Sequence, residues 1–306
     1  MNSIDSYALN TGTLSGKTAV ITGANTGLGF ELAVLLAQRD VEVVLACRNI
    51  KKANTARDYI CKVTNNPKVH VVHIDLIDLD SVYSGANAIK GLLAQINLCI
   101  NNAGIAMPEF SVSRQGVESQ MATNHIGHFA LTLHLLPRLL NTHNSRVVNV
   151  TSLAYLIGKT IPTDLTKINK RSYSPFACYA QSKLANLLFT HELNKKVMES
   201  GLSLRSTSAH PGGASTGLMD DVLTGYLGRK LKPYVMPQSA VNGAAVILQA
   251  ALDKDLSKGN HFVPSGVLQL KGSPTTKQKK LSKNHQHEAK RLWNISERIT
   301  GLSYST

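Results

Sequence analysis

Short apolar runs alternate with longer segments of helical period along most of this chain. The runs are apolar at consecutive positions and rich in β-branched residues, which is typical of strands buried on both faces of a sheet. They lie at 18–22, 41–46, 69–75, 96–101, 147–150, 204–209 and 261–263. Segments with apolar residues on one helical face lie between them, at 27–38, 81–95, 119–140, 179–199 and 239–252.

This alternation of strands and helices predicts the fold class. Parallel strands need crossover connections, and helices supply them while covering both faces of the sheet. We predict an α/β fold with a single doubly wound domain, in which helices cover both faces of a parallel sheet of about seven strands. The predicted domain spans 17–301, between an N-terminal extension at 1–16 and a C-terminal tail at 302–306.

Composition and charge narrow the class of protein. The chain has 306 residues, a hydrophobic fraction of 43% and a formal net charge of +14. A basic surface suits nucleic acid, an anionic membrane or an anionic cofactor. No helix-turn-helix, zinc-ligand or aromatic RNA-binding signature accompanies the charge, so we predict no nucleic-acid partner. Much of the excess lies at 271–291, which we interpret as a solvated surface loop.

Cysteine usage and hydropathy indicate the compartment. The four cysteines form no C-x-x-C pair, and Cys47 and Cys99 fall inside predicted buried strands. Free thiols in a reducing compartment fit this pattern better than disulfides do. The sequence has no run of 18 apolar residues, and 1–17 is polar. We therefore expect no transmembrane segment, no signal peptide and a cytoplasmic location.

A glycine-rich turn directly follows the first predicted strand. Gly23, Gly27 and Gly29 have the spacing G-x-x-x-G-x-G rather than the commoner G-x-G-x-x-G. Glycines let the backbone approach a pyrophosphate, and the following helix offers free N–H groups and the positive end of its dipole. The predicted dinucleotide cradle comprises Gly23, Asn25, Thr26, Gly27, Leu28 and Gly29. An ordinary glycine-rich strand-to-helix turn is the alternative interpretation.

The end of the second predicted strand indicates which dinucleotide binds. A carboxylate there would hold the ribose 2′-hydroxyl of NAD, whereas a basic residue would accept a 2′-phosphate. The chain has Arg48 and Asn49 at this point, with Lys51 and Lys52 close by. The planar guanidinium of arginine suits a phosphate, so we predict NADP(H) as the cofactor. A solvated surface arginine is the alternative.

Tyr179 and Lys183 are the candidate acid–base pair. They lie four residues apart, which places both side chains on one face of a predicted helix. Free tyrosine has a pKa of about 10, and a neighbouring ammonium favours the phenolate and lowers that pKa towards the working range. The pair alone is weak, because the same spacing occurs by chance on solvated helix faces.

Further segments at compatible positions give the pair its weight. Asn101-Asn102-Ala103-Gly104 follows the fourth predicted strand, and Ser152 ends the fifth. Together with the glycine turn, Tyr179 and Lys183, these segments resemble the short-chain dehydrogenase/reductase family. The resemblance implies a Rossmann-type fold, and it extends over about 14–301.

The resemblance implies a role for each matching residue. Ser152 would hydrogen-bond the substrate oxygen, Tyr179 would exchange a proton with it, and Lys183 would hold the nicotinamide ribose. Asn124 would anchor a water of the proton relay. Further cofactor contacts are implied at Asp75, Leu76, Asn102, Ala103, Gly104, Pro211, Gly212 and Thr216.

The sequence around Tyr179 is most similar to the retinol-dehydrogenase-like branch of this family, whose relatives include protochlorophyllide-reductase-like enzymes. Ser152 and Tyr179 are 27 positions apart, and a Leu-Trp-Asn-Ile-Ser-Glu segment begins at Leu292. This resemblance implies hydride transfer between NADP(H) and a lipophilic alcohol, aldehyde or ketone. An NADP(H)-binding redox sensor or scaffold with little turnover is the rival interpretation.

A segment near 213–236 has apolar residues at helical spacing and predicts a lid over the substrate. A plain surface helix is the alternative, and a weak peripheral contact with a membrane and a homodimer are both compatible with the sequence.

Two pairs of histidines are candidate metal ligands by spacing alone, namely His125 with His128 and His285 with His287. Neither pair has a convincing carboxylate or cysteine partner, so we predict no metal.

Overall fold

The apolar runs of the sequence form the strands of one mixed sheet. A computed structural model describes residues 13–158, 160–213, 238–257, 259–278 and 281–304. Within these residues the sheet has eight strands in the order β3-β2-β1-β4-β5-β6-β7-β8. The strands are β1 (Thr18–Thr22), β2 (Glu42–Cys47), β3 (Val69–His73), β4 (Leu98–Asn101), β5 (Arg146–Val150), β6 (Arg205–Ala209), β7 (His261–Pro264) and β8 (Pro274–Lys277).

Helices connect the strands, and several of them begin at residues that favour the start of a helix. Asn49 caps one helix by accepting a hydrogen bond from the Lys52 N–H at 3.0 Å, and a proline occupies the first turn of another. The helices are α1 (Gly27–Ala37), α2 (Ile50–Thr64), α3 (Leu79–Leu92), α4 (Ser119–Met121), α5 (Gly127–Leu140), α6 (Pro175–Glu199), α7 (Ala240–Leu252) and α8 (Lys283–Thr300). A π-helical turn, Ala122–Ile126, joins α4 to α5.

Two apolar layers cover the sheet, one on each face. Along β1, Ala19 and Ile21 pack against α1 and α7, while Val20 faces the opposite layer. That layer contains Phe129 of α5 and Trp293 of α8, whose rings meet edge to face at 5.0 Å. The predicted single doubly wound α/β domain is therefore confirmed.

The parallel part of the sheet matches the predicted number of strands. β1 to β7 pair in parallel, and β8 adds an antiparallel strand at the edge. The chain runs outward from β1 through β2 to β3 and then returns to β4 on the other side of β1. Such a reversal opens a crevice at the carboxyl ends of the two neighbouring strands, where ligands of this fold class bind.

The interpretation of 271–291 as a solvated surface loop is wrong for much of this segment. Its first part pairs with β7 as β8, and its second part begins α8. Helix α8 buries a narrow stripe that includes Ala289, Leu292 and Trp293 against the domain. The lysines and histidines around that stripe hid its helical period. Helix α2 was also absent from the sequence prediction, because only Ala53, Ala56 and Ile60 are buried along its length.

The predicted lid lies almost entirely at 214–237, outside the described residues. Part of the predicted C-terminal tail packs on the domain, because the Tyr304 N–H donates to Glu297 Oε1 at 3.0 Å.

Cys47 and Cys99 are buried free thiols, as their positions in strands predict. Among the described residues, none of the helices combines the length and hydropathy needed to cross a membrane.

Candidate active site

The glycine turn packs too closely against the sheet for larger residues. Gly23 and Gly27 have φ values of +65° and +59°, in the left-handed region that favours glycine. A Cβ atom on Gly29 would lie 2.5 Å from Asn102 Nδ2 and 2.7 Å from the Gly23 carbonyl oxygen. The turn therefore forms a cradle of bare backbone at the N-terminus of α1, which suits a pyrophosphate.

A cleft of about 580 Å³ opens over this turn. It follows the carboxyl ends of the parallel strands and has the size of a cofactor site. The predicted residues that line it are Gly23, Asn25, Thr26, Gly27, Leu28, Gly29, Arg48, Asn49, Asp75, Leu76, Asn102, Ala103, Gly104, Ser152, Tyr179, Lys183, Pro211 and Gly212. Asn124 lies buried behind the wall, and Thr216 lies outside the described residues.

The cleft also has lining residues that sequence reasoning missed. They are Ala46, Lys52, Ile74, Ile105, Thr123, Val150, Thr151 and His210. Most of them directly flank a predicted residue, so the ends of the parallel strands were the signal that would have found them. Lys52 lies in the first turn of α2, and its position one turn after Arg48 was the available clue.

Basic groups define the outer end of the cleft. The Arg48 side chain is 71% exposed, and its Nη1 lies 3.9 Å from Asp75 Oδ2. This separation and exposure make a weak ion pair that competes little with an incoming anion. Lys52 lines the same end. The arrangement leaves two cations available to a phosphate group.

The three residues of the inner end come from two neighbouring elements. Ser152 follows β5 and hydrogen-bonds the Tyr179 side chain. Lys183 follows Tyr179 by one turn of α6, with its Nζ 5.6 Å from the tyrosine ring centroid. Lys183 Nζ also donates to the Val150 carbonyl at 3.4 Å. The geometry thus brings Ser152, Tyr179 and Lys183 together, as predicted.

Burial controls the pKa values of this pair. It raises the pKa of Tyr179, and the hydrogen bond with Ser152 acts in the opposite direction. Burial also lowers the pKa of Lys183 to about 8. The lowering of the tyrosine pKa that was expected from Lys183 is not found in this structure, where desolvation by burial dominates. At neutral pH Tyr179 holds its proton and Lys183 remains largely charged.

Asn124 supports the site from the π-helical turn. Its Oδ1 accepts from the Ile105 N–H at 2.9 Å, and its Nδ2 donates to the Ile105 carbonyl at 3.0 Å and to Ser182 Oγ at 2.9 Å. The side chain thereby fixes the segment after β4 and the helix that carries Tyr179. Isolated π turns are frequent at functional sites.

His125 in this turn and His128 at the start of α5 do not converge. His125 Nε2 lies 2.9 Å from Ser296 Oγ on α8, whereas His128 Nε2 lies 2.8 Å from Thr22 Oγ1 at the end of β1. A metal ion needs ligands that surround one point, and these two imidazoles have separate partners in different parts of the domain.

Comparisons with known proteins identify the family of this chain. The profile of the short chain dehydrogenase family matches residues 17–163. Mouse (Mus musculus) retinol dehydrogenase 12 is 38% identical over 294 residues, which are 95% of this chain and 88% of the relative. The chain belongs to the short-chain dehydrogenase/reductase family, whose members bind NAD or NADP. It lies in the retinol-dehydrogenase-like branch and is an oxidoreductase of the class that acts on alcohols.

Two other similar proteins show how widely this sequence pattern occurs. Short-chain dehydrogenase TIC 32 B, a chloroplastic protein of Brassica napus, is 35% identical and matches 82% of this chain and 81% of its own length. The crystal structure of an uncharacterized protein from Mycobacterium paratuberculosis has a TM-score of 0.79 and 35% identity, with 98% of each chain covered. The cytoplasmic location inferred from the sequence stays a prediction.

Buried imidazoles make the folding stability dependent on pH. Burial lowers the pKa of His125 to about 3 and the pKa values of His128 and His210 to about 4. In the unfolded chain histidine titrates near about pH 6.5. Below that pH the unfolded state takes up protons that the folded state excludes. Stability should therefore fall between about pH 6.5 and pH 4, by up to about 1.4 kcal/mol per pH unit for each imidazole.

Denaturant titrations at about pH 6 and about pH 5 measure this loss. His125→Phe removes one of the three imidazoles, so its stability should fall by about 1 kcal/mol less than that of the wild type between these conditions. His143→Phe, at an exposed position, is the control and should fall as much as the wild type. An unchanged slope in His125→Phe would contradict the prediction.

Proposed function

We propose that the protein is an NADP(H)-dependent oxidoreductase that interconverts a lipophilic alcohol and its aldehyde or ketone. The observation that carries the proposal is the meeting of Ser152, Tyr179 and Lys183 in the cleft over the glycine turn. The backbone of the glycine turn would hold the phosphates of a dinucleotide, and Tyr179 and Lys183 would lie toward its reactive end. The cofactor supplies the hydride when bound.

The protein residues handle the proton. In reduction Tyr179 donates its phenolic proton to the substrate oxygen, and Ser152 hydrogen-bonds the same oxygen. The Lys183 ammonium stabilises the phenolate that remains, because an opposite charge nearby favours the ionised form. Asn124 holds the segment around Ile105 and the helix of Tyr179 in register. In oxidation the same steps run in reverse.

The rival interpretation is a sensor or scaffold that binds NADP(H) with little turnover. Such a protein needs the glycine turn and the basic outer end but has no need of a proton donor. In this chain Tyr179 and Lys183 are both buried, and burial holds the pKa of Lys183 at about 8. Burial of an ammonium group costs stability, and groups with such shifted pKa values are typical of functional sites, which favours an enzyme.

Exposed apolar side chains close in sequence to Ser152 and Tyr179 support a lipophilic substrate. Leu156 and Ile157, shortly after Ser152, are 61% and 58% exposed, and Phe176, one turn before Tyr179, is 45% exposed. Exposed apolar side chains that cluster by a site mark contact with apolar partners. Retinoids, steroids and other lipid-like carbonyl compounds belong to this class of substrate.

The assay that tests the proposed reaction follows NADPH absorbance with a panel of lipophilic aldehydes and ketones, including retinal. Tyr179→Phe removes the proton donor with little change in shape, so kcat should fall by about 100-fold or more. Tyr83→Phe, on the exposed face of α3, is the matched control and should keep wild-type activity. NADPH binding without turnover of any compound in the panel would favour the sensor.

Arg48 provides the test of cofactor choice. Arg48→Asp replaces a cation with the carboxylate that suits a free ribose hydroxyl, so KM for NADPH should rise by about tenfold or more while KM for NADH falls. Arg57→Asp, on α2 but away from the cleft, controls for the change in net charge. Equal KM values for NADPH in Arg48→Asp and the wild type would contradict an NADP(H) preference.

The exposed side chains of Leu156 and Ile157 also allow a test of the predicted weak contact with a membrane. A weak contact with anionic vesicles should be measurable by co-sedimentation and should decrease in the double variant Leu156→Ser, Ile157→Ser. Met198→Ser is the control, because Met198 is 69% exposed at the far end of α6. Equal binding by all three proteins would argue against contact through this surface. The homodimer stays a prediction, and sedimentation velocity without vesicles measures it.

A further inference from the structure

A buried series of hydrogen bonds connects the segment after β4 to the helix of Tyr179, and His128 lies at its centre. The imidazole is 1% exposed. Its Nε2 lies 2.8 Å from Thr22 Oγ1, and its Nδ1 lies 3.0 Å from the Asn124 carbonyl oxygen. Within the described part of the chain, His128 lies behind the wall of the cleft and does not line it. Any effect on the reaction therefore passes through its neighbours.

The partners of His128 fix its tautomer. A carbonyl oxygen only accepts, so Nδ1 carries the hydrogen and donates it to Asn124. Burial lowers the pKa of His128 to about 4, so the ring is neutral and Nε2 is an acceptor. The Thr22 hydroxyl donates to Nε2 in preference to the Ile100 carbonyl, which lies farther away at 3.4 Å.

Thr22 passes this orientation to the cofactor side. Because its hydrogen points at His128, its oxygen faces two backbone N–H groups with its lone pairs. The N–H groups of Asn102 and Ala103 both donate to Thr22 Oγ1 at 2.9 Å. Asn102 and Ala103 line the cleft directly above the glycine turn. The imidazole therefore sets the position of a stretch of backbone in the cofactor site.

His128 holds the main-chain carbonyl of Asn124, and the side chain of the same residue contacts the proton-donor side. Its Nδ2 donates to Ser182 Oγ, and Ser182 Oγ donates to the Tyr179 carbonyl at 2.8 Å. Every side chain between the two ends is buried, so water cannot replace a missing partner. The chain thus runs from Asn102 and Ala103 through Thr22, His128, Asn124 and Ser182 to Tyr179.

We propose that His128 is a positioning residue with two separable tasks, and this inference rests on the proposed function. Its Nε2 acceptor, through Thr22, holds the backbone that binds the cofactor. Its Nδ1–H donor, through Asn124, holds the helix that presents the proton donor. The inference predicts that loss of the acceptor weakens cofactor binding and that loss of the donor slows the chemical step.

Substitution of His128 by the two residues with amide side chains separates these two tasks. The amide of asparagine lies near the position of His128 Nδ1, so His128→Asn keeps a donor for Asn124 and loses the acceptor for Thr22. The amide oxygen of glutamine reaches the position of Nε2, so His128→Gln keeps the acceptor and loses the donor. His128→Phe preserves the ring volume and removes both groups.

The expected result is a split between the kinetic constants. His128→Asn should raise KM for NADPH by about tenfold with little change in kcat, and His128→Gln should lower kcat by about tenfold with little change in KM. His128→Phe should show both effects. His125→Phe is the matched control, because His125 is buried three positions before His128 but contacts Ser296 on α8; its kinetic constants should match the wild type.

Equal effects of the asparagine and glutamine substitutions on both constants would overturn the inference, as would wild-type kinetics in His128→Phe. If His128→Phe does not fold, the asparagine and glutamine variants still decide the question. A 15N NMR spectrum of the wild-type imidazole should show the Nδ1–H tautomer, and the Nε2–H tautomer would overturn the proposed chain.

Failure of the proposed function gives a different result. A wild type that turns over no carbonyl compound removes kcat as a readout, but fluorescence titration with NADPH still measures the acceptor task. Weaker NADPH binding by His128→Asn than by His128→Gln would support the inference without turnover. Equal binding by the two variants would overturn it.

Discussion

A buried ammonium group constrains the rest of the site. Lys183 is 4% exposed and donates to the Val150 carbonyl at the end of β5. Gly104 makes room for it, since a Cβ there would lie 3.2 Å from Lys183 Nζ and 3.3 Å from Asn124 Oδ1. An unpaired buried charge is costly, so it needs a rigid surrounding of dipoles. β5, the segment after β4, and α6 supply that surrounding only when the whole sheet is assembled.

The sequence was a good guide wherever one residue type or one run of residues decided the structure. Consecutive β-branched residues predicted β1 and β2, and the glycines predicted the turn between β1 and α1. Polar residues that follow strands, such as Asn102 and Ser152, were implied at the site by the family resemblance, and they line one cleft because parallel strands end at one edge of the sheet. The resemblance thereby named most of the residues that line the cleft.

The sequence was a poor guide where distant partners decide the structure. β8 exists because Phe262 of β7 pairs with Thr276, and α8 because Trp293 finds a pocket between α5 and α6. His128 and Thr22 are 106 positions apart, and no pattern in the sequence indicated that their side chains meet. A π-helical turn cannot be read from hydrophobic periodicity either, although it holds Asn124 where its amide reaches both Ile105 and Ser182.

Burial shifts the pKa values of Tyr179 and Lys183 in opposite directions, because it disfavours the charged form of each side chain. The raised pKa of Tyr179 keeps a proton available for donation at neutral pH, which suits the reduction of a carbonyl. The pKa of about 8 for Lys183 places its loss of charge just above neutrality. Oxidation needs the phenolate, and the phenolate needs the charged lysine beside it. The protonated Tyr179 and the charged Lys183 that serve reduction therefore coexist near neutral pH.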